Sequence, residues 1–278
     1  MVERGNNARP GQPLAVVVGA GGLSMAVARR LGDVHRVFIC DLDGDSVERG
    51  VAALRAEGHD ASGQVCDVSD AGSVRALAQC AAAWGPVKTL LHVVGVSPSM
   101  ADAGVILSVN LLGAALVADA FLDLAFAGSV AVFIGSLAGQ LDDVPPAVAA
   151  ALDDPLAPDL RRRVELATGS ELTPGLAYSL SKLGVIRLCR RGALPWGRKG
   201  ARIISVSPGL INSPQGASGY AVHPEKSALL EKTPLRREGT MIEIADAIEF
   251  LVSDRASFIS GIDLLVDGGL AAATRHSG

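Results

Sequence analysis

The chain is predicted to be an α/β protein: a doubly wound parallel sheet of about seven strands, covered by helices on both faces, in a single domain. Three observations predict it. From Leu14 onward, short β-rich apolar runs alternate with longer Ala-rich amphipathic stretches, the pattern of strands joined by helical crossovers. Apolar residues make up 49% of the chain but aromatics only 4%, so the core is built of aliphatic layers and the chain is not disordered. The 278 residues suit one large α/β domain, and the 32 glycines have no three-residue period that would signal collagen.

Residues 1–12, rich in Gly, Asn and Pro, are expected to form a disordered leader, leaving 13–278 as the domain. The predicted strands are Leu14–Val18, Arg36–Cys40, Gln64–Cys66, Leu90–Val94, Val130–Ile134, Arg202–Val206 and Asp263–Val266. Helices are expected near Gly22–Leu31, Ser46–Glu57, Ala71–Trp84, Val105–Phe126, Gly175–Leu194 and Ile242–Ser253. One segment breaks the rhythm. Residues 140–174 carry Pro145-Pro146, Pro155, Pro158, paired aspartates and Arg161-Arg162-Arg163. They read as an insertion with one or two short helices, either a solvated elaboration or a lid over a substrate site.

Charge and cysteine usage narrow the function. Lys and Arg number 25 against 29 Asp and Glu, a net charge of −4. A nucleic-acid partner would call for a basic surplus, so none is expected. Cys40, Cys66, Cys80 and Cys189 form no Cys-x-x-Cys pair. Each is expected to pack as a small apolar residue, with no metal site and a reducing cytoplasm as the setting. Two stretches mimic membrane signals. The run from Leu14 to Ala28 follows Arg4 and Arg9 and ends in Ala26-Val27-Ala28. Ala103 to Ala118 is apolar but shorter than the ~20 residues of a bilayer span, with Asn110 in its middle. Both are rejected, the first because its glycines have a better explanation.

Those glycines follow the first strand and open the first helix, in Val18-Gly19-Ala20-Gly21-Gly22-Leu23-Ser24. Gly19, Gly21 and Ser24 take Gly-x-Gly-x-x-Gly spacing, with Ser in the last place. Gly19 permits a tight turn, and Gly21 lets backbone approach a pyrophosphate at the helix N-terminus, as in Rossmann-type folds. Asp41 ends the second strand twenty positions after Gly21, where a carboxylate accepts hydrogen bonds from adenosine ribose hydroxyls. A 2′-phosphate would meet Asp41 with like-charge repulsion, and the next residue, Leu42, offers no cation. NAD(H) is therefore expected in preference to NADP(H).

Tyr178-Ser179-Leu180-Ser181-Lys182 places a phenol and an ammonium at i and i+4 on one helix face. A phenol with a pKa near ~10 gives up its proton more readily beside Lys⁺ and a positively charged nicotinamide. The pair is then suited to general acid/base work on an alcohol or ketone. Tyrosine is scarce, with only Tyr178 and Tyr220 in the chain.

With these motifs the chain resembles the short-chain dehydrogenase/reductases in their compact form, from about Pro13 to Leu270. The resemblance also rests on Cys66-Asp67-Val68, on Asn110 within Ser-Val-Asn-Leu and on Gly135-Ser136-Leu137-Ala138-Gly139. It continues with Ser207-Pro208-Gly209-Leu210-Ile211-Asn212-Ser213 and Val266-Asp267-Gly268-Gly269. It implies that Ser136 hydrogen-bonds the substrate oxygen, Tyr178 exchanges its proton, Lys182 tunes Tyr178 and holds the nicotinamide ribose, and Asn110 supports a water-linked relay. It further implies that Asp67 and Val68 flank the adenine and that Val94 and Gly95 pass close to the cofactor. Pro208, Gly209, Ile211 and Ser213 would hold the carboxamide.

Three departures stand out. Val18 replaces the usual Thr, in a glycine loop one residue short that ends in Ser24. His92-Val93-Val94-Gly95 replaces Asn-Asn-Ala-Gly, and His92 is expected to be a packed core histidine. Finally, 42 positions separate Ser136 from Tyr178, an insertion similar to that of some bacterial hydroxysteroid dehydrogenases and carbonyl reductases, where it alters a subunit contact. By that likeness the substrate is a hydrophobic secondary alcohol or ketone of steroid or terpenoid size. Residues 212–238, with Tyr220 and His223, are expected to cover it. The family likeness also implies a homodimer or homotetramer. Two alternatives remain open: a catalytically inactive NAD-binding sensor or scaffold, and an enoyl reductase. The intact Ser136, Tyr178, Lys182 and Asn110 speak against the first, and the Tyr/Lys spacing against the second.

Overall fold

The computed structural model describes residues 11–140, 144–212 and 224–275. Seven parallel strands form the central sheet: β1 (Leu14–Val18), β2 (Arg36–Asp41), β3 (Ala61–Val65), β4 (Val87–His92), β5 (Val130–Ile134), β6 (Arg202–Pro208) and β9 (Asp263–Val266). Their order is β3-β2-β1-β4-β5-β6-β9. The order reverses between β1 and β4, where doubly wound sheets open a crevice at the carboxyl ends of the strands. A separate two-residue ladder joins β7 (Ile211–Asn212) to β8 (Gly239–Thr240).

Alternation along the strands sends side chains to two aliphatic clusters. Val16, Val18, Phe38, Leu90 and Phe133 face α3 (Ala71–Trp84) and α8 (Pro174–Arg198), meeting Val74, Leu77, Val185 and Trp196. Val17, Ile39, Leu91, Val132 and Ile204 face α1 (Gly22–Gly32), α2 (Gly44–Ala56) and α10 (Met241–Val252), meeting Val27, Leu31, Leu54 and Ile248. The helices begin where side chains satisfy their free amides. Asp43, Asp70 and Thr173 cap α2, α3 and α8, and Thr240 with Glu243 forms a capping box on α10. Between β7 and β8 lies α9 (Pro224–Lys232), and α11 (Leu270–Arg275) follows β9.

Some boundaries differ from the sequence expectation, each for a physical reason. β4 starts at Val87 and stops at His92, because β1 has already turned away. The amides of Val93 and Val94 both donate to the Val18 carbonyl, at 2.9 and 3.1 Å. β3 starts three residues earlier than expected and ends one earlier, aligned with Val37 to Asp41. Helix α8 runs through Pro195 instead of ending before it, since Trp196, 3% exposed, anchors the last turn in the core. The helix expected over Val105–Phe126 is three pieces: α4 (Ala103–Leu107), a π-helical turn (Ser108–Leu112) and α5 (Gly113–Leu122). Their combined run, Ala103–Leu122, is long and apolar enough to cross a membrane, yet 56% of it is buried against the protein's own core.

The inserted segment packs onto the body of the domain beside Tyr178. Its helices α6 (Pro146–Leu152) and α7 (Leu160–Thr168) build a third apolar cluster. There Val148, Leu152, Leu160 and Val164 meet Ile106, Leu107, Leu180 and Leu183 of α4 and α8. Asp153 ties it down through a two-pronged bond from Arg187, at 2.8 and 2.7 Å, with Arg191 donating to the Asp153 carbonyl. Both partners of the Arg187 pair are about a quarter exposed, so the pair is worth about 1 kcal/mol. Arg187→Ala is expected to lower Tm by about 2 °C in calorimetry. An unchanged Tm would mean the clamp contributes nothing.

Candidate active site

The glycine loop occupies the carboxyl end of β1. Gly19 has φ +118°, donates its amide to the Cys40 carbonyl at 2.6 Å, and leaves no room for a Cβ. That atom would fall 2.8 Å from Ser24 Oγ and 3.3 Å from Val94 Cγ2. Ser24, buried beneath the turn, thus fills the space above Gly19 in place of the usual glycine. Gly21 caps α1 in an extended conformation, with nothing within 4 Å of its would-be Cβ, so a helix N-terminus faces open space. A Cβ on Gly22 would fall 2.8 Å from Met241 Sδ of α10, and Leu23 packs into the second cluster. Asp41 reaches back to this loop. Its Oδ2 accepts the Ala20 amide at 2.8 Å and its Oδ1 the Asp43 amide at 3.1 Å, with Leu42 67% exposed beside it. Asp67 accepts the Ser69 amide and hydroxyl at 2.8 and 2.7 Å, and Val68 is buried against Gly113.

The chemistry-bearing residues converge on the neighbouring side of the crevice. Tyr178 and Lys182 stand one turn apart on α8, with Lys182 Nζ 5.9 Å from the phenol ring centroid. The ammonium is buried and donates to the Ile134 carbonyl at 2.9 Å. Burial brings its pKa down to about 8. Burial pushes the Tyr178 phenol above its ordinary value, partly offset by a hydrogen bond with Ser136. Ser136 caps the 3₁₀ turn Leu137–Gly139. Asn110 lies on the π-helical turn, a distortion that recurs at functional sites, and is 1% exposed. Its Oδ1 accepts the Val96 amide at 2.8 Å, while Nδ2 donates to the Val96 carbonyl at 3.0 Å and Ser181 Oγ at 3.3 Å.

Gly95 passes directly over this group. A Cβ there would sit 3.2 Å from Lys182 Nζ and 3.3 Å from Asn110 Oδ1. His92, below Lys182, is buried, stacks on Phe133 at 5.3 Å and leaves Nε2 without a partner. Burial, with the Lys182 charge second, holds its pKa down to about 3, so it is neutral. Pro208 and Gly209 close the far wall, Gly209 donating to the Val266 carbonyl at 2.9 Å, and Ile211 follows in the β7–β8 ladder. Ser213, Tyr220 and His223 lie outside the described residues.

A cavity of about 200 Å³ joins Ser136, Tyr178, Lys182, Gly95, Pro208 and Gly209. Val93, Val96, Ser97 and Met100 also line it, residues not singled out from the sequence. Nor was the Ile134 carbonyl, which carries no side-chain signal at all. The bare helix N-terminus at Gly21, the fixed Asp41 carboxylate and the Gly95 passage together fit a dinucleotide laid across the strand ends.

Comparisons with known proteins agree with this architecture. A family model described as short chain dehydrogenase matches residues 13–148, and one described as Enoyl-(Acyl carrier protein) reductase matches 167–271. The chain is 32% identical to the short-chain dehydrogenase/reductase bsc3 of Alternaria brassicicola, covering 94% of this chain and 96% of that one. It is 30% identical to the D-threitol dehydrogenase of Mycolicibacterium smegmatis, covering 92% of each. Among solved structures, the protein gox2181 superposes with a TM-score of 0.76 at 26% identity, over 95% of this chain and 97% of that one. An actinorhodin polyketide ketoreductase solved with NADPH gives 0.75 at 24%, over 95% and 98%. The chain belongs to the short-chain dehydrogenase/reductase family, whose members are oxidoreductases using a nicotinamide cofactor.

Proposed function

We propose that the protein interconverts a hydrophobic secondary alcohol and its ketone with NAD(H). The observation that carries this reading is the convergence of Ser136, Tyr178 and the buried Lys182 ammonium on one cavity, with Tyr178 and Lys182 one helical turn apart. When bound, the nicotinamide supplies the hydride acceptor or donor. Asp41 would hold the adenosine ribose, Gly19 and Gly21 the pyrophosphate, Asp67 and Val68 the adenine, and Pro208, Gly209 and Ile211 the carboxamide. Ser136 would orient the substrate oxygen by hydrogen bonding. Tyr178 would give that oxygen a proton in reduction and remove it in oxidation. The Lys182 ammonium would stabilise the phenolate left behind, and Asn110 would hold the solvent path by which the proton is replaced.

Ketone reduction needs Tyr178 protonated and profits from Lys182 charged. The rate is therefore expected to stay level at low pH and to fall as pH rises through about 8, where the buried ammonium loses its proton. A reduction rate still climbing above that pH would contradict the assignment. The apolar Val93, Val96, Met100 and Ile134 on the cavity wall support an apolar substrate, while its steroid or terpenoid size rests on the likeness of the insertion alone. A panel of alcohols and ketones, followed at the nicotinamide absorbance, is expected to show turnover of bulky apolar compounds. Turnover confined to small hydrophilic sugars would refute this choice. A cytoplasmic homodimer or homotetramer completes the reading, supported by four unpaired cysteines and by the exposed Phe258 and Ile262 beside the edge strand β9.

A further inference from the structure

A polar network on the side of the Ser136 turn away from α8 has no part in the roles above. Asp263 opens β9, an edge strand that is otherwise Leu264-Leu265-Val266. Its Oδ1 accepts hydrogen bonds from Ser205 Oγ at 2.6 Å and Ser207 Oγ at 2.9 Å, both on β6 and both fully buried. Its Oδ2 accepts from Gln140 Nε2 at 2.5 Å. Cys189 of α8 lies close by, its thiol pushed well up by burial and then by the Asp263 charge. A carboxylate among apolar neighbours is costly unless its oxygens are satisfied, and here three donors from two elements converge on it.

Gln140 is the residue that ends the Ser136 turn. The turn itself is held by three short-range bonds: Gly139 N–H to the Ser136 carbonyl at 2.9 Å, Gln140 N–H to the Leu137 carbonyl at 3.0 Å and Ala138 N–H to Ser136 Oγ at 3.1 Å. Its inner side lies flush on α8, where a Cβ on Gly139 would fall 2.7 Å from the Lys182 carbonyl carbon. Its outer side is held by Gln140 to Asp263. The turn is thus clamped between the helix bearing Tyr178 and Lys182 and the strand bearing Asp263.

We infer that Gln140 and Asp263 are positioning residues for the reaction, fixing where Ser136 Oγ stands relative to Tyr178 by anchoring the Ser136 turn to β9. This rests on the reading of Ser136 and Tyr178 given under the proposed function. Neither residue touches substrate, and both act through Ser136. A displacement of about 1 Å at a substrate-orienting group costs up to about 100-fold in rate.

The test is a double-mutant cycle on the full chain, using a ketone from the panel and saturating NADH. Gln140→Leu keeps the side-chain bulk and removes the donor. It is expected to lower kcat about ten-fold while KM for NADH stays near wild type and Tm falls by only a few degrees. In a Ser136→Ala background the same change is expected to cost less than about two-fold, because the group it positions is gone. Asp263→Asn, which keeps the shape and removes the charge, is expected to shift kcat in the same direction. Wild-type kcat in Gln140→Leu, or an equal loss in both backgrounds, would overturn the inference while leaving the function standing. A wild-type protein with no turnover on any alcohol or ketone would overturn the proposed function and this inference with it.

Discussion

Tyr178→Phe is expected to lower kcat for ketone reduction by about 1,000-fold, while NADH affinity stays within about two-fold. The substitution removes one oxygen from a half-buried ring and keeps the ring's packing against the third cluster. The loss therefore reports proton transfer, not folding. Ser136 would keep its place at the turn cap but would have no hydroxyl to share the substrate oxygen with. Steady-state kinetics with cofactor binding by fluorescence checks both halves. Activity retained in Tyr178→Phe would remove Tyr178 from proton transfer and return the active site to the open question of which group carries it.

The second large effect concerns cofactor choice. NADH is expected to surpass NADPH by at least about 100-fold in kcat/KM, and Asp41→Ser to shrink that margin to under about ten-fold. Both oxygens of Asp41 are held by the Ala20 and Asp43 amides, so the carboxylate is not free to swing away from a 2′-phosphate. The adjoining residue, Leu42, is exposed and neutral. The same bonds carry a second consequence. Losing the Ala20 contact loosens the glycine loop, so KM for NADH rises in the variant even as the margin closes. Tighter binding of NADPH than NADH to the wild-type chain would contradict the role given to Asp41.

The sheet was legible in the sequence because buried parallel strands are continuous apolar runs, and Leu14–Val18 and Val130–Ile134 match their predicted bounds to the residue. The misplaced elements share a cause. β3 is Ala-Ser-Gly-Gln-Val, with little β-branched character, and is a strand because β2 pairs with it. β4 ends where β1 ceases to offer partners, which only the three-dimensional register reveals. The π-helical turn around Asn110 is likewise set by packing, with Gly113 against Val68. The insertion's prolines and arginines left a solvated elaboration and a lid both open, because its apolar residues pair with α4 and α8, faces that periodicity within the insertion alone does not specify.

Within the site, Gly19, Asp41, Asp67, Gly95, Ser136 and Gly209 sit at successive strand ends, while Asn110, Tyr178 and Lys182 reach them from helices. What sequence reasoning missed is of two kinds. The Ile134 carbonyl that holds Lys182 is main chain and leaves no trace in residue identity. Gln140 and Asp263 are 123 positions apart, and a lone acid at the head of an apolar edge strand was the one available sign of the pair.

The most direct test of the proposed chemistry uses a secondary alcohol deuterated at its carbinol carbon, chosen from the active compounds of the panel, with NAD⁺ and the wild-type protein. The expected result is a slower appearance of NADH than with the unlabelled alcohol and deuterium recovered on the reduced nicotinamide. NADH without deuterium, or no NADH from any secondary alcohol tried, would contradict hydride transfer between an alcohol carbon and the cofactor at this site.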